Sequence, residues 1–205
     1  ATAAPTSLDD RIIAVLAVVS LSHLADTDFV RGDLDLCEER SREAIALAEH
    51  EHHSEYPHAA GAHVNLARAL AARGEKVVVN DFGGDVHGTG GSSDPAERVA
   101  AEIRQAGGEA ISHGASVTSA EQVAHMVEDA LSKWGRIDIL VNIAGILRDD
   151  SFPKSSLQDF RTVIDVHLLG SVICSQAVWP HMKAANFGRI LMTTSTSGIY
   201  GNFGQ

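Results

Sequence analysis

The sequence predicts an α/β chain in which a partial, doubly wound parallel sheet follows an α-helical segment. Three observations carry this. From Lys76 onward, short β-branched runs alternate with helix-patterned stretches long enough to cross back over a sheet. Before Gly74, apolar residues recur at helical spacing instead. Composition is that of an ordinary globular chain: of 205 residues, 44% are hydrophobic and 21% charged, which argues against disorder. The expected division is a helical segment over residues 1–74 and a sheet domain over 75–205.

The helical segment starts at Ser7, whose hydroxyl can cap a helix with Asp9 and Asp10 in its first turn. Ile12, Val15, Leu16, Val19 and Leu24 then follow at roughly helical spacing, and Gly32 breaks the pattern. A second helix is predicted from Leu34 to His50, and a third opening at Pro57 and stopping at Gly74. Leu24-Ala25 leading to Gly32 echoes Leu70-Ala71 leading to Gly74, a spacing comparable to a helix-turn-helix repeat of tetratricopeptide type. LARALAARGE, preceded by SEYPHAAGAH, resembles the tetratricopeptide-like helical region of LuxR/MalT-type bacterial regulators.

Beyond Gly74 each element has its own signal. Lys76 to Asn80 (KVVVN) is a β-branched strand between Gly74 and a Gly-rich loop. Asp94 caps a helix with Pro95 at its first position and Ala96, Val99, Ala100 and Ile103 on one face, ended by Gly107-Gly108. Glu109 to His113 is a weaker strand. Ser119 caps a helix carrying Val123, Met126, Val127, Ala130, Leu131 and Trp134, and Gly135 terminates it. Ile137 to Asn142 is the next strand, Ser156 with Asp159 starts a long helix, and Gly188 precedes a last strand, Arg189 to Thr193.

Charge and cysteine usage narrow the function classes. Lys plus Arg number 16 against 27 Asp plus Glu, a formal charge of −11, so no basic face is available for phosphate neutralisation and nucleic acid is not the expected partner. Two cysteines, Cys37 and Cys174, lack CxxC spacing, which points to a reducing cytoplasm rather than a disulfide or zinc framework. The apolar run Ile12 to Leu21 is too short to span a bilayer, and it follows two aspartates rather than basic residues, so neither a membrane nor a secretory signal is expected. His50, His52, His53, His58 and His63 are dense, but HEHHS has Ser54 where H-E-x-x-H needs its second histidine; no metal site is expected.

A parallel α/β sheet binds its ligand beyond the carboxyl ends of its strands. Asp81 follows the first strand of the back half, where a carboxylate can accept from both hydroxyls of an adenosine ribose and so favour NAD over a 2′-phosphorylated cofactor; an ordinary loop aspartate is the alternative. After the third strand come Asn142, Ile143, Ala144 and Gly145, small enough at Ala144 and Gly145 for close backbone approach to a ligand. After the last comes a hydroxyl cluster, Thr193 to Ser197, in which Ser195 is either a functional hydroxyl or a cap.

With these residues in place, VVVNDFGGDVHGTGGSS, GRIDILVNIAGILRD, DVHLLGS, AVWPHMK and SGIYGNFGQ resemble the short-chain dehydrogenase/reductase family. The narrower likeness is to the (3R)-hydroxyacyl-CoA dehydrogenase part of multifunctional β-oxidation enzymes and to 3-oxoacyl-carrier-protein reductases. The resemblance implies a Rossmann-like sheet and hydride transfer, within fatty acid metabolism, between a nicotinamide cofactor and a 3-hydroxyacyl or 3-oxoacyl thioester. It implies that Ser195 polarises the carbonyl and that Asp81, Asn142, Ala144 and Gly145 bind the cofactor. His167 stands at a position implied for proton relay, although its apolar face equally fits a satisfied core histidine. Homo-oligomers through the long helix resembling Ser156 to Ala184 are also implied.

The sequence departs from that family in three places. No Tyr-x-x-x-Lys occurs, and the family's pair would fall beyond Gln205; a positioned acid–base group typically contributes about 10²–10⁴-fold. Counting back from Asp81, the family's phosphate-loop glycines fall at Pro57, Gly61 and His63, so the loop and the strand before it are expected to be missing. Ala115 and Ile143 replace polar residues on the adenine side. The neighbours of the missing first strand, Lys76–Asn80 and Ile137–Asn142, could then pair directly, or Ile12–Val19 could fill the slot, or the sheet could be incomplete. The expectation is an oxidoreductase sheet that also lacks its C-terminal strands, binding NAD weakly or not at all and inactive as this chain. The alternative is a non-catalytic helical interaction module with a reductase-like tail.

Overall fold

The computed structural model describes the strand Ile12–Leu16 as backbone, together with residues 71, 74–84 and 87–194. In chain order the elements are β1 (Ile12–Leu16), β2 (Lys76–Asn80), α1 (Asp94–Gln105), β3 (Glu109–His113), α2 (Ala120–Trp134), β4 (Ile139–Asn142), α3 (Leu157–Ile164), a π-turn (Asp165–Leu169), α4 (Gly170–Ala184) and β5 (Arg189–Met192). The strands form one sheet in the order β3-β2-β1-β4-β5, every neighbouring pair parallel. The expected doubly wound class is therefore observed.

One part of the expectation is corrected. Ile12–Leu16 is a strand, not the first turns of a helix, and it fills the middle slot, the second of the three arrangements that the sequence leaves open. Ile13 pairs with Val77 on one side and Ile139 on the other, so β1 satisfies ladder groups of both neighbours. An uninterrupted run such as IIAVL reads equally well at helical and at strand spacing, because a strand between two neighbours and covered on both faces shows no alternation. The remaining helices predicted before Gly74 and the histidine cluster lie outside the described residues, apart from buried Ala71.

Alternation in β2 divides the core. Val77 and Val79 face one side, packed with Ala71, Ala96, Val99 and Ile103; Val78 faces the other, packed with α2 and α4 through Val123, Met126, Cys174 and Val178. Caps act where the sequence places them: Ser119 Oγ accepts from the Gln122 amide at 3.3 Å and Ser156 Oγ from Asp159 at 3.0 Å. The next cap shifts by one residue, since α1 is flanked by Ser93 and begins at Asp94. Buried Asp138 precedes β4, 2.7 Å from Arg136 Nη2, and its carbonyl accepts from the Arg189 amide that opens β5.

Burial pushes the Cys174 thiol up to about 12. Against an ordinary thiol near 8.5, iodoacetamide labelling of the native chain at pH 8 is expected to be roughly 1,000-fold slower at Cys174 than after unfolding in urea. Peptide mass spectrometry of the Cys174 fragment checks this; equal rates would place the thiol at the surface.

Candidate functional site

The carboxyl ends of all described strands lie along one edge of the sheet, and the candidate residues collect there. Asp81 leaves β2 with 2% exposure. Its amide donates to the His113 carbonyl at 3.0 Å, and its Oδ1 accepts from the Gly83 amide at 2.7 Å. That short turn fixes the carboxylate against its own backbone. Gly83 has φ +71°, and a Cβ there would overlap the Ser92 carbonyl oxygen. The loop closes on itself through the Ser92 amide and Phe82 carbonyl, 2.9 Å apart.

Beside it, Asn80 is fully buried and clamps the loop after β3. Its Oδ1 accepts from the Ala115 amide at 2.8 Å, and its Nδ2 donates to the Ala115 carbonyl at 3.0 Å. Sequence reasoning missed Asn80; the signal was a polar residue closing the apolar run KVVVN, a place where burial demands hydrogen-bond partners. Both polar groups of the Ala115 backbone are thus held by Asn80.

On the other side of β1, Asn142 ends β4 at 5% exposure. Its side-chain amide turns to β5, 3.3 Å from the Leu191 carbonyl, and its own carbonyl accepts from Thr193 at 3.1 Å. The Asn142 side chain thus holds the sheet together at this edge. Ala144 and Gly145 follow, and the His167 ring lies on Gly145: a Cβ there would sit 2.7 Å from its Cε1. His167 Nε2 is 3.0 Å from both the amide nitrogen and the carbonyl oxygen of Ile146, accepting from one or donating to the other according to tautomer. The residue belongs to the π-turn between α3 and α4, a local widening often found at functional sites, and it is exposed rather than packed inside. Asp81, Asn142, Ala144, Gly145 and His167 are therefore brought to one edge. Ser195 lies outside the described residues, three positions beyond the end of β5.

The fit to a dinucleotide differs along its length. A fixed carboxylate after β2 and a small-residue loop after β4 suit the adenosine half. The diphosphate half needs glycines after the middle strand so that backbone amides can approach it. Here β1 is followed by Ala17-Val18-Val19-Ser20-Leu21-Ser22, and the next glycine is Gly32, so the sequence does not supply that cradle.

Strand order, parallel pairing and a ligand edge at the strand ends define a Rossmann-like α/β protein. The sequence pattern of the short chain dehydrogenase family matches residues 59–205. The chain belongs to the short-chain dehydrogenase/reductase family. It is 54% identical over 146 residues to peroxisomal multifunctional enzyme type 2 of Drosophila melanogaster, covering 71% of this chain and 24% of that one. A 3-oxoacyl-[acyl-carrier-protein] reductase of Synechocystis is 44% identical over 139 residues, 68% of this chain and 53% of the reductase. A solved 7α-hydroxysteroid dehydrogenase in complex with NADH and 7-oxo glycochenodeoxycholic acid superposes with a TM-score of 0.60 at 32% identity, covering 67% of this chain and 50% of that one. The chain spans about a quarter of the first relative and about half of the other two.

Proposed function

We propose that the protein containing this chain transfers hydride between a nicotinamide cofactor and a 3-hydroxyacyl or 3-oxoacyl thioester. The observation that carries the reading is the gathering of Asp81, Gly145 and His167 at the carboxyl edge on either side of β1. The names of the multifunctional-enzyme and reductase relatives support the acyl thioester, and the family match favours this reading over a non-catalytic helical module. Asp81 would accept from the adenosine ribose, which favours NAD. Ala144 and Gly145 would let the cofactor approach the backbone, with Asn142 steadying that strand end. His167 would relay a proton, and Ser195 would polarise the substrate carbonyl. The cofactor, when bound, supplies or accepts the hydride.

The test is an assay of the gene product read on past Gln205, with NADH and acetoacetyl-CoA. Loss of NADH absorbance is expected, with Ser195→Ala lowering kcat about 100-fold or more. The 205-residue chain by itself is expected to show none. A folded longer product that leaves NADH untouched would contradict the proposal.

We also read the long helical stretch as a subunit contact. By length and composition Leu157–Ala184 could cross a membrane, but one of its faces packs Cys174, Val178 and Met182 into the core, which favours a protein partner. Phe160, Ile164, Leu168 and Val172 lie four residues apart, exposed by 61, 37, 56 and 41%. A homo-oligomer through this stripe is expected, and Leu168→Asp with Val172→Asp should convert it to monomer in sedimentation velocity. An unchanged sedimentation coefficient would place the contact elsewhere. The division near Gly74 is proposed as a change in sequence pattern only, since β1 from the first stretch pairs inside the sheet of the second. The likeness of residues 1–74 to LuxR/MalT-type helical regions has β1 against it. We retain a cytoplasmic location on cysteine usage alone, beside relatives whose names are peroxisomal.

A further inference from the structure

The loops that follow β2 and β4 touch one another directly. His87 Nδ1 lies 3.0 Å from the Leu147 carbonyl oxygen, and Gly88 backs onto the Ile146 side chain. A carbonyl only accepts, so Nδ1 carries the proton in this contact. Because β1 sits between β2 and β4, the contact joins the two loops that flank the carboxyl end of β1, the place where open α/β sheets hold their ligands. Ile146 in turn meets His167 Nε2 through both its amide and its carbonyl. The segment 145–147 is thus gripped from two directions: by His87 from the β2 side, and by His167 from the π-turn.

His87 is exposed, and its bond to Leu147 joins residues 60 apart in sequence. An exposed hydrogen bond contributes little net stability, so the consequence of this one lies in where it holds the backbone. We propose that His87 is a positioning residue of the candidate site, fixing the 145–147 loop and thereby setting where the His167 ring rests. The inference rests on the reading of that loop as cofactor-facing.

The test is heteronuclear NMR on the 205-residue chain with His87→Ala, His87→Asn and His87→Gln. An Asn amide N–H can stand where Nδ1 stands, whereas the Gln amide falls nearer the Nε2 position. Amide exchange at Ile146 is expected to quicken about 10-fold in His87→Ala. The His167 ring resonances should move with it, while the thermal midpoint stays unchanged. His87→Asn should restore both signals and His87→Gln should not. Unchanged Ile146 exchange and His167 resonances in His87→Ala, or failure of His87→Asn to restore them, would overturn the proposal. Adding AMP to the same samples examines the cofactor reading separately. No AMP shift at Asp81 or Ala144 in the unmutated chain would remove that reading and leave the exchange data to decide the role of His87.

Discussion

Arg136→Met is expected to destabilise the chain by about 3 kcal/mol, because it takes the guanidinium away from a carboxylate that water cannot reach. Asp138 has 0% side-chain exposure and Arg136 30%, with 2.7 Å between Nη2 and Oδ1. The pair sits where α2 has ended and β4 begins, and the Asp138 carbonyl also receives the first amide of β5, so the loss should be felt through that half of the sheet. At roughly 2–4 °C per kcal/mol for a chain of this size, the thermal midpoint should fall by about 6–12 °C. Adding Asp138→Asn removes the charge that Arg136 faces and should recover part of the loss. Calorimetry of the two single variants and the double variant checks this, and strictly additive losses would show that the two side chains are not coupled.

Gly83→Ala carries the second large effect. At φ +71° an L residue costs about 1–2 kcal/mol, and here the added methyl also meets the Ser92 carbonyl, which is backbone and cannot rotate away. Relief requires the loop to open, giving up the Ser92 amide bond to Phe82 and the Gly83 amide bond to Asp81. A midpoint lowered by roughly 4–8 °C is expected, with the Ser92 amide losing its protection from exchange. Since the Gly83 amide orients Asp81, nucleotide affinity should fall alongside. A stable variant with Ser92 still protected would mean that the turn tolerates a side chain.

The back half of the fold was legible because its signals are local. Ser119, Gly135 and Ser156 cap the helices that their positions announce, and the valines of β2 alternate between two cores. The middle strand was legible only as one of three alternatives, because five apolar residues remote in sequence from the rest of the sheet acquire strand character only through the neighbours they pair with. At the site, Asp81 and Gly145 could be found from their places after strands. His167 was found by resemblance, but its rest on the 145–147 loop depends on a π-turn that no periodicity announces. Asn80 and His87 escaped because what they do is hold backbone 35 and 60 residues away.

The central claim is that the carboxyl edge between β2 and β4 still recognises the adenosine half of a dinucleotide although the diphosphate cradle is missing. Titrating the isotope-labelled 205-residue chain with ADP-ribose, and separately with its 2′-phosphorylated analogue, tests it most directly. The account predicts shifts concentrated at Asp81, Ala115 and residues 142–146, a dissociation constant on the order of 1 mM, and about 10-fold weaker binding of the phosphorylated analogue. Shifts confined to other surfaces, or equal affinity for the two ligands, would contradict it.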